Sequence, residues 1–198
     1  PLVLELARDD LRAAEADLAR KVATVSRAIP GRGRGSGLVT LLCECFAAAL
    51  ERRKTPVDGV FHGTFATGDL APGPLTVADC WKIIPYENTL VTAEVTAAEL
   101  LQIVAEDAKV RDSDRTLWPF EVVAEGDGKP ERLRLKGSDV PADRRFTIAF
   151  NSYDAQSGGR RLMRMRDILS APAAKRRTAP IDTRSALIDG LLDRGTVG

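Results

Sequence analysis

A single histidine in 198 residues is the most restrictive feature of this sequence. Catalytic zinc and two-metal sites draw on several His, Asp and Cys side chains, and a Ser-His-Asp arrangement needs its histidine beside a nucleophile. With only His62 available, the chain is not expected to perform hydrolytic chemistry alone. Cysteine is scarce too: Cys43, Cys45 and Cys80 are an odd set without a C-x-x-C, and on a helix Cys43 and Cys45 point to different sides. Free buried thiols are the reading, which leaves the compartment open. Long uncharged apolar runs are missing, so neither a signal peptide nor a membrane-spanning helix is expected. Neither charge sign dominates. Lys and Arg number 29 against 28 Asp and Glu, a formal charge of +1, which gives no global attraction to nucleic acid or membrane.

What is present fits an ordinary globular domain. At 44% hydrophobic, the chain can build one sizeable core, or one domain with an appended helix. Leu11, Ala14, Leu18, Val22 and Val25 recur at three- and four-residue intervals, which predicts an amphipathic helix from Leu4 to about Ser26. The loop Gly31 to Gly37 is glycine-rich and basic but lacks phosphate-loop spacing, and reads as a flexible connection with solvated arginines rather than a ligand contact. Ser36 caps a second helix, buried through Leu38, Leu41, Leu42, Cys45, Phe46 and Leu50. Val57 to Phe61 reads as a strand entering the loop from His62 to Gly68.

Thr76 with Asp79 and Thr96 with Glu99 form capping boxes for two further helices, with Pro85 ending the first and the strand Leu90 to Val95 between them. Asp107 to Arg115 is a charged connection. The runs Phe120 to Val123, Glu131 to Leu135 and Arg145 to Phe150 are strands that close the sheet, with a turn at Gly126-Asp127-Gly128. After them come a basic loop, Ala171 to Pro180, and a terminal helix begun at Asp182 or Thr183. The irregular alternation predicts an α+β fold, a mixed sheet with helices on both faces preceded by a linker helix. The expected division is a linker helix over 1–30 and a domain over 31–198.

One stretch stands out, Asn151-Ser152-Tyr153-Asp154-Ala155-Gln156-Ser157-Gly158-Gly159-Arg160-Arg161-Leu162. It reads as strand, glycine turn and helix, a junction that offers unpaired backbone N–H groups and a positive dipole end to an anion. Arg160 and Arg161 would stand in that first turn, where cations are disfavoured. Either an anionic partner or Asp154 would offset them.

Three separated motifs carry a resemblance. Gly63 to Thr76, Pro85-Tyr86-Glu87-Asn88-Thr89 and Asn151 to Gly159 resemble, in order and spacing, the G-G-[IV]-R…G-x-[IL]-T, P-F-G-N-T and N-D-[YF]-L-A-x-G-G-D-G-F patterns of the 5′-nucleotidase family's C-terminal domain. The resemblance covers about Ser36 to Ile168. It implies a substrate-recognition domain of a phosphoesterase acting on nucleotides or related phosphate esters, with a divalent metal pair on an upstream metallophosphoesterase domain and no cofactor in this chain. Export or a periplasmic location is implied in the same way. The ligand is then a nucleotide or another phosphate ester, not a nucleic acid or a membrane. The expected cleft is lined by Tyr86, Asn88, Asn151, Tyr153, Asp154, Gly158, Gly159, Arg160 and Arg161.

The departures are specific. In the family, two rings sandwich the base. Tyr86 supplies the first, but Leu162 stands at the second, and Arg160 and Arg161 replace an acid and a glycine. Thr67 stands where the family has a phosphate-holding arginine, and Glu87 adds a negative charge that Arg160 or Arg161 could neutralise. These changes point to a ligand other than a simple purine nucleotide. They also leave open a degenerate, non-catalytic binding or interaction module of the same fold. Blander roles stay open as well: a hydrogen-bonded structural His62, an Asn88 that braces its turn, glycines required only by the turn, and Trp81 and Trp118 as packing residues.

Overall fold

The computed structural model of the chain describes residues 7–65, 68–125 and 128–198. Leu4 to Leu6, Thr67, and Gly126 with Asp127 lie outside the described residues. The core is a five-stranded mixed sheet assembled from distant parts of the chain. Its strands are β2 (Gly59–His62), β4 (Thr89–Thr96), β5 (Thr116–Trp118), β9 (Arg145–Asn151) and β10 (Arg177–Asp182), in the spatial order β10-β4-β9-β2-β5. β2 and β9 run parallel, and the other pairs are antiparallel. Successive side chains point to opposite faces of a strand, and both faces are buried. Val60, Leu90 and Ala149 enter one apolar cluster, whereas Phe61, Val91, Ile148 and Phe150 enter the other.

Helices cover each face. On the first lie α2 (Gly37–Arg52), α3 (Val77–Ile83) and α7 (Thr183–Arg194), and on the second α4 (Ala97–Asp107) and α6 (Met163–Ser170). The helix α2 is the most buried of these. Leu38, Leu42, Phe46 and Leu50 are fully enclosed, each contributing about 2 kcal/mol of transfer free energy. Gly190 lets α7 cross α2 closely, since a Cβ there would meet the Cys45 side chain at 2.6 Å. All three cysteines are free and buried.

Local caps form as the sequence predicts. The Ser36 hydroxyl accepts from Val39 N–H, both capping boxes are closed, and Asp182 caps α7. The first helix does not extend as predicted. The helix α1 (Arg8–Ala19) stops early, and Lys21–Val25 forms strand β1, paired with β3 (Gly73–Thr76) and with the terminal β11 (Thr196–Val197). Val22 and Val25 are buried there, while Leu11 and Leu18 stay exposed on α1. β-branched side chains suit an extended strand, and its partners, remote in sequence, outweigh the helical spacing.

Two further elements differ. The strands β6 (Glu121–Glu125) and β7 (Lys129–Leu135) do not close the main sheet; with β8 (Ser138–Asp139) they form a separate three-stranded sheet. The segment Ala171 to Pro180 is not simply a loop, because it holds a short 3₁₀ turn, Pro172–Ala174, and most of edge strand β10.

Candidate functional site

Because β2 and β9 are parallel while β4 and β5 oppose them, four chain segments meet at one end of the sheet. These are the exits of β2 (Gly63 to Phe65) and β9 (Tyr153, Asp154), and the entries to β4 (Tyr86 to Asn88) and β5 (Ser113 to Arg115). Strand ends of this kind are where mixed and parallel sheets place ligands. The segments surround a cleft of about 580 Å³, lined among others by Thr64, Phe65, Tyr86, Asn88, Asp114, Arg115, Asn151, Tyr153, Asp154 and Arg161.

The cleft floor is a buried polar network. Asn151 caps the one-turn helix α5 (Ser152–Ala155), its Oδ1 accepting from Asp154 N–H at 2.8 Å, and its Nδ2 donates to Asp154 Oδ2 at 3.1 Å. Arg115 grips the same carboxylate with both prongs, Nε to Oδ2 at 2.9 Å and Nη2 to Oδ1 at 2.7 Å. Behind Arg115 lies the fully buried Asp107, which accepts from Ser113 Oγ at 2.7 Å and from Arg34 Nη1 at 2.5 Å. Burial works against the charge on Arg115, but the hydrogen bonds and charges of Asp154 and Asp107 hold its pKa above the ordinary arginine value. A bidentate pair of this kind fixes geometry as well as charge. Asp114 similarly takes Thr64 N–H at 3.1 Å and the Thr64 hydroxyl, tying the β2 exit to the β5 entry.

His62 is buried beneath this network. Its Nδ1 faces Asn151 Nδ2 at 3.3 Å; an amide nitrogen only donates, so Nδ1 accepts and the ring proton sits on Nε2, an atom without a hydrogen-bond partner among the described residues. Burial depresses the ring's pKa to about 4, with the Asp154 charge opposing and the Arg115 charge assisting. A ladder of edge-on rings then leads outward. Phe46 meets His62 at 4.9 Å, His62 meets Phe65 at 5.7 Å, and Phe65 meets Tyr86 at 5.4 Å. Tyr86 is itself 60% exposed, an open ring braced from behind.

The stretch after β9 differs from a plain strand-turn-helix. Following α5, four consecutive residues, Ser157 to Arg160, take positive φ angles. At Gly159 the left-handed backbone favours glycine, and a Cβ there would also lie 2.7 Å from the half-exposed Tyr153 hydroxyl. Arg160 and Arg161 lie in the turn, ahead of the first turn of α6, whose N-cap is Leu162. The anion at that helix N-terminus is not Asp154. Glu106 fills it, accepting Arg164 N–H at 2.7 Å and Met165 N–H at 2.9 Å, in agreement with the dipole. Leu162 is fully buried in the core. Glu87 does not reach Arg160 or Arg161; it faces Arg184 at 4.0 Å.

Of the residues singled out by sequence, Tyr86, Asn88, Asn151, Tyr153, Asp154 and Arg161 line the cleft. Gly158, Gly159 and Arg160 shape the adjoining turn without lining it. Asn88 braces through its backbone, its carbonyl accepting Thr183 N–H at 2.8 Å, and Trp81 is half exposed beneath Arg184. Sequence reasoning missed Arg34, Asp107, Asp114 and Arg115. Arg34, though exposed, reaches in to the buried Asp107, and the charged connection supplies much of the cleft floor. The only local signal was the density of Asp, Ser and Arg between 107 and 115.

Comparisons with known proteins agree with this architecture. The family profile described as 5′-nucleotidase, C-terminal domain, matches residues 19–166. A probable 5′-nucleotidase of Treponema pallidum (strain Nichols) is 32% identical over 108 residues, covering 46% of this chain and 18% of that protein. Among solved structures, the 5′-nucleotidase precursor from Thermus thermophilus superimposes with a TM-score of 0.77 at 17% identity, covering 99% of this chain and 40% of that one. The NAD nucleotidase of Haemophilus influenzae gives a TM-score of 0.76 at 15% identity, over 97% and 38% of the two chains. At those identities the structures speak to the fold alone, and the chain spans well under half of each relative's length. With its profile matching most of the sequence, the chain belongs to the family of 5′-nucleotidase C-terminal domains.

Proposed function

We propose that this chain is the substrate-recognition domain of a 5′-nucleotidase-like phosphoesterase, holding the nucleoside part of a nucleotide or related phosphate ester in the strand-end cleft. In this reading, residues 1–30 lead in from a preceding metallophosphoesterase domain, and residues 31–198 form the recognition domain. Among the described residues no group of three or more His, Cys, Asp or Glu is arranged to hold a metal ion. On this reading the metal pair belongs to the preceding domain, and no chemical step is assigned to this chain's residues. No helix among the described residues is long and apolar enough to cross a membrane. The whole enzyme, on the same reading, works outside the cytoplasm.

The observation that carries the reading is Tyr86. An aromatic ring left 60% exposed, backed edge-on by Phe65, at the mouth of a cleft built from strand ends, is a platform for a flat base. Stacking of that kind is worth about 1–3 kcal/mol. Calorimetric titration with adenosine, uridine and their 5′-phosphates tests it: Tyr86→Ala should weaken binding about tenfold or more, and Tyr86→Phe should retain it. Failure of every nucleoside and nucleotide to bind at millimolar concentration would sink the reading.

A degenerate module has specific support too. Glu106 occupies the α6 amides, Arg115 neutralises Asp154, and Leu162 is buried where a second ring was expected. Absence of binding in the same titration would favour it.

A further inference from the structure

A second groove, of about 540 Å³, opens at the other end of the main sheet, where β2 begins and β5 ends. The helix α2 contributes Ala47, Ala48 and Glu51 to it, the segment entering β2 contributes Val57 and Asp58, and β5 contributes Trp118. Val57 and Trp118 are only partly buried, each packing on the first apolar cluster while still lining the groove. The two alanines leave room on the helix wall for an incoming side chain. The walls are also fixed in advance. β5 lies so tightly on β2 that a Cβ at Gly59 would meet the Trp118 carbonyl at 2.5 Å, and the Asp58 carboxylate is oriented by the Thr147 N–H that it accepts at 2.7 Å. A surface held in this way needs little ordering when something binds to it.

Charge sets the class of partner. Three carboxylates line the groove against one guanidinium, and that guanidinium, of Arg194, is taken by Glu44 at 3.0 Å. Among the described residues neither Glu51 nor Asp58 pairs with a cation, and the neighbouring Arg52 and Arg53 are held by Asp189 and Asp193 of α7. Two carboxylates without a cation beside an indole suit a guanidinium, which can lie on an aromatic ring and donate to carboxylates from its edge.

We propose that this groove docks a partner protein through an extended segment that carries an arginine beside apolar residues. The arginine would lie against Trp118 with Glu51 and Asp58 at its edge, and its apolar neighbours would cover Val57 and the alanines. An aromatic anchor with a polar rim is the usual composition of such a contact. The inference does not depend on the function proposed above. The groove and the strand-end cleft sit at opposite ends of the sheet, so both can be filled at once.

The test is a calorimetric titration of the chain with a panel of short acetylated, amidated peptides, each with a central arginine flanked by leucine, proline or alanine, and each paired with its glutamine counterpart. At least one arginine peptide should bind about tenfold more tightly than its glutamine form, and its affinity should fall several-fold between about 0.05 M and about 0.5 M salt. Trp118→Ala should weaken that peptide about tenfold or more. Glu51→Gln, at an exposed position, should weaken it several-fold and decides the matter alone if Trp118→Ala fails to fold in a thermal melt. The chain has two tryptophans, so Trp81→Phe leaves Trp118 as the single fluorophore, whose emission the peptide should shift. Absence of arginine-peptide binding at millimolar concentration overturns the inference. So does equal binding of the glutamine forms, full affinity in Glu51→Gln, or binding that leaves the Trp118 emission unaltered. Self-association of the chain that Glu51→Gln abolishes, read by sedimentation, gives the groove to a second copy and overturns it as well.

Discussion

The guanidinium of Arg184 lies over the ring of Trp81, 3.4 Å from its centroid, while its Nε donates to the backbone carbonyl of Ile84 at 2.9 Å. Arg184 stands in the terminal helix, and Ile84 ends the helix before the Tyr86 turn. One side chain therefore ties the last helix to the segment that presents Tyr86 and Asn88.

Replacing Arg184 by Ala should cost about 2 kcal/mol, from a desolvated cation–π contact and one hydrogen bond. The Tyr86 turn should loosen with it. Urea unfolding followed by tryptophan fluorescence reads the first effect, and nucleotide titration the second. Lysine should not rescue, because an ammonium cannot both stack flat and reach the carbonyl. A lysine variant equal to wild type in both assays would show that the stack positions nothing.

Asp154 offers a sharper test, because it stands where the family pattern has leucine and its partner Arg115 is largely buried. Asp154→Leu alone leaves a buried guanidinium with Asp107 at 3.4 Å and the Ser113 hydroxyl at 3.2 Å. It should cost about 3 kcal/mol. Adding Arg115→Met should recover most of the loss, since a buried ion pair exchanged for apolar groups of similar volume is often neutral. A double variant no more stable than the single one, in chemical denaturation, would mean that the pair contributes net stability beyond its own desolvation.

That pair also marks the limit of what the sequence discloses. Capping boxes at Thr76 and Thr96, the buried face of α2 and the strand β4 are encoded by neighbours a few residues apart, and the structure keeps all of them. Arg115 meets a residue 39 positions away, and Arg34 one 73 positions away. No local pattern reveals such partners, so the segment 107–115 reads as a solvated connection until the fold assembles it. The strand β1 fails for a related reason, since its helical spacing is real and its partners are remote. The site reads in between, with Tyr86, Asn88, Asn151, Tyr153 and Arg161 placed by motif and the acids and arginines beneath them hidden.

Leu162 tests the motif reading itself. Restoring the family's ring with Leu162→Phe should not create a base sandwich, because the position is fully buried and stands outside the cleft lining. Overpacking should instead lower stability by about 1–3 kcal/mol, without gain in nucleotide affinity. A variant that binds adenosine 5′-monophosphate distinctly better than wild type would show that the turn after Ser157 can rotate this side chain outward.

His62 gives the chain a pH dependence that no other side chain can imitate, since it is the single histidine. Its pKa is 6.5 in the unfolded chain and about 4 when folded, chiefly through burial. Between those values the unfolded chain holds a proton that the native protein does not, so stability rises with pH across this window. The contribution is complete above pH 6.5 and is lost as pH falls toward 4, about 3 kcal/mol in all and about 2 kcal/mol by about pH 5. Asp79 and Asp182, whose pKa values are lowered by their cap partners, lose their contributions only at still lower pH. The comparison is therefore between unfolding free energies at about pH 7 and about pH 5, in wild type and in His62→Gln. The wild type should lose about 2 kcal/mol and the variant only a fraction of that, whatever the variant's absolute stability. Equal losses in the two proteins would place the acid sensitivity elsewhere and remove His62 as the neutral, acceptor-side partner of Asn151.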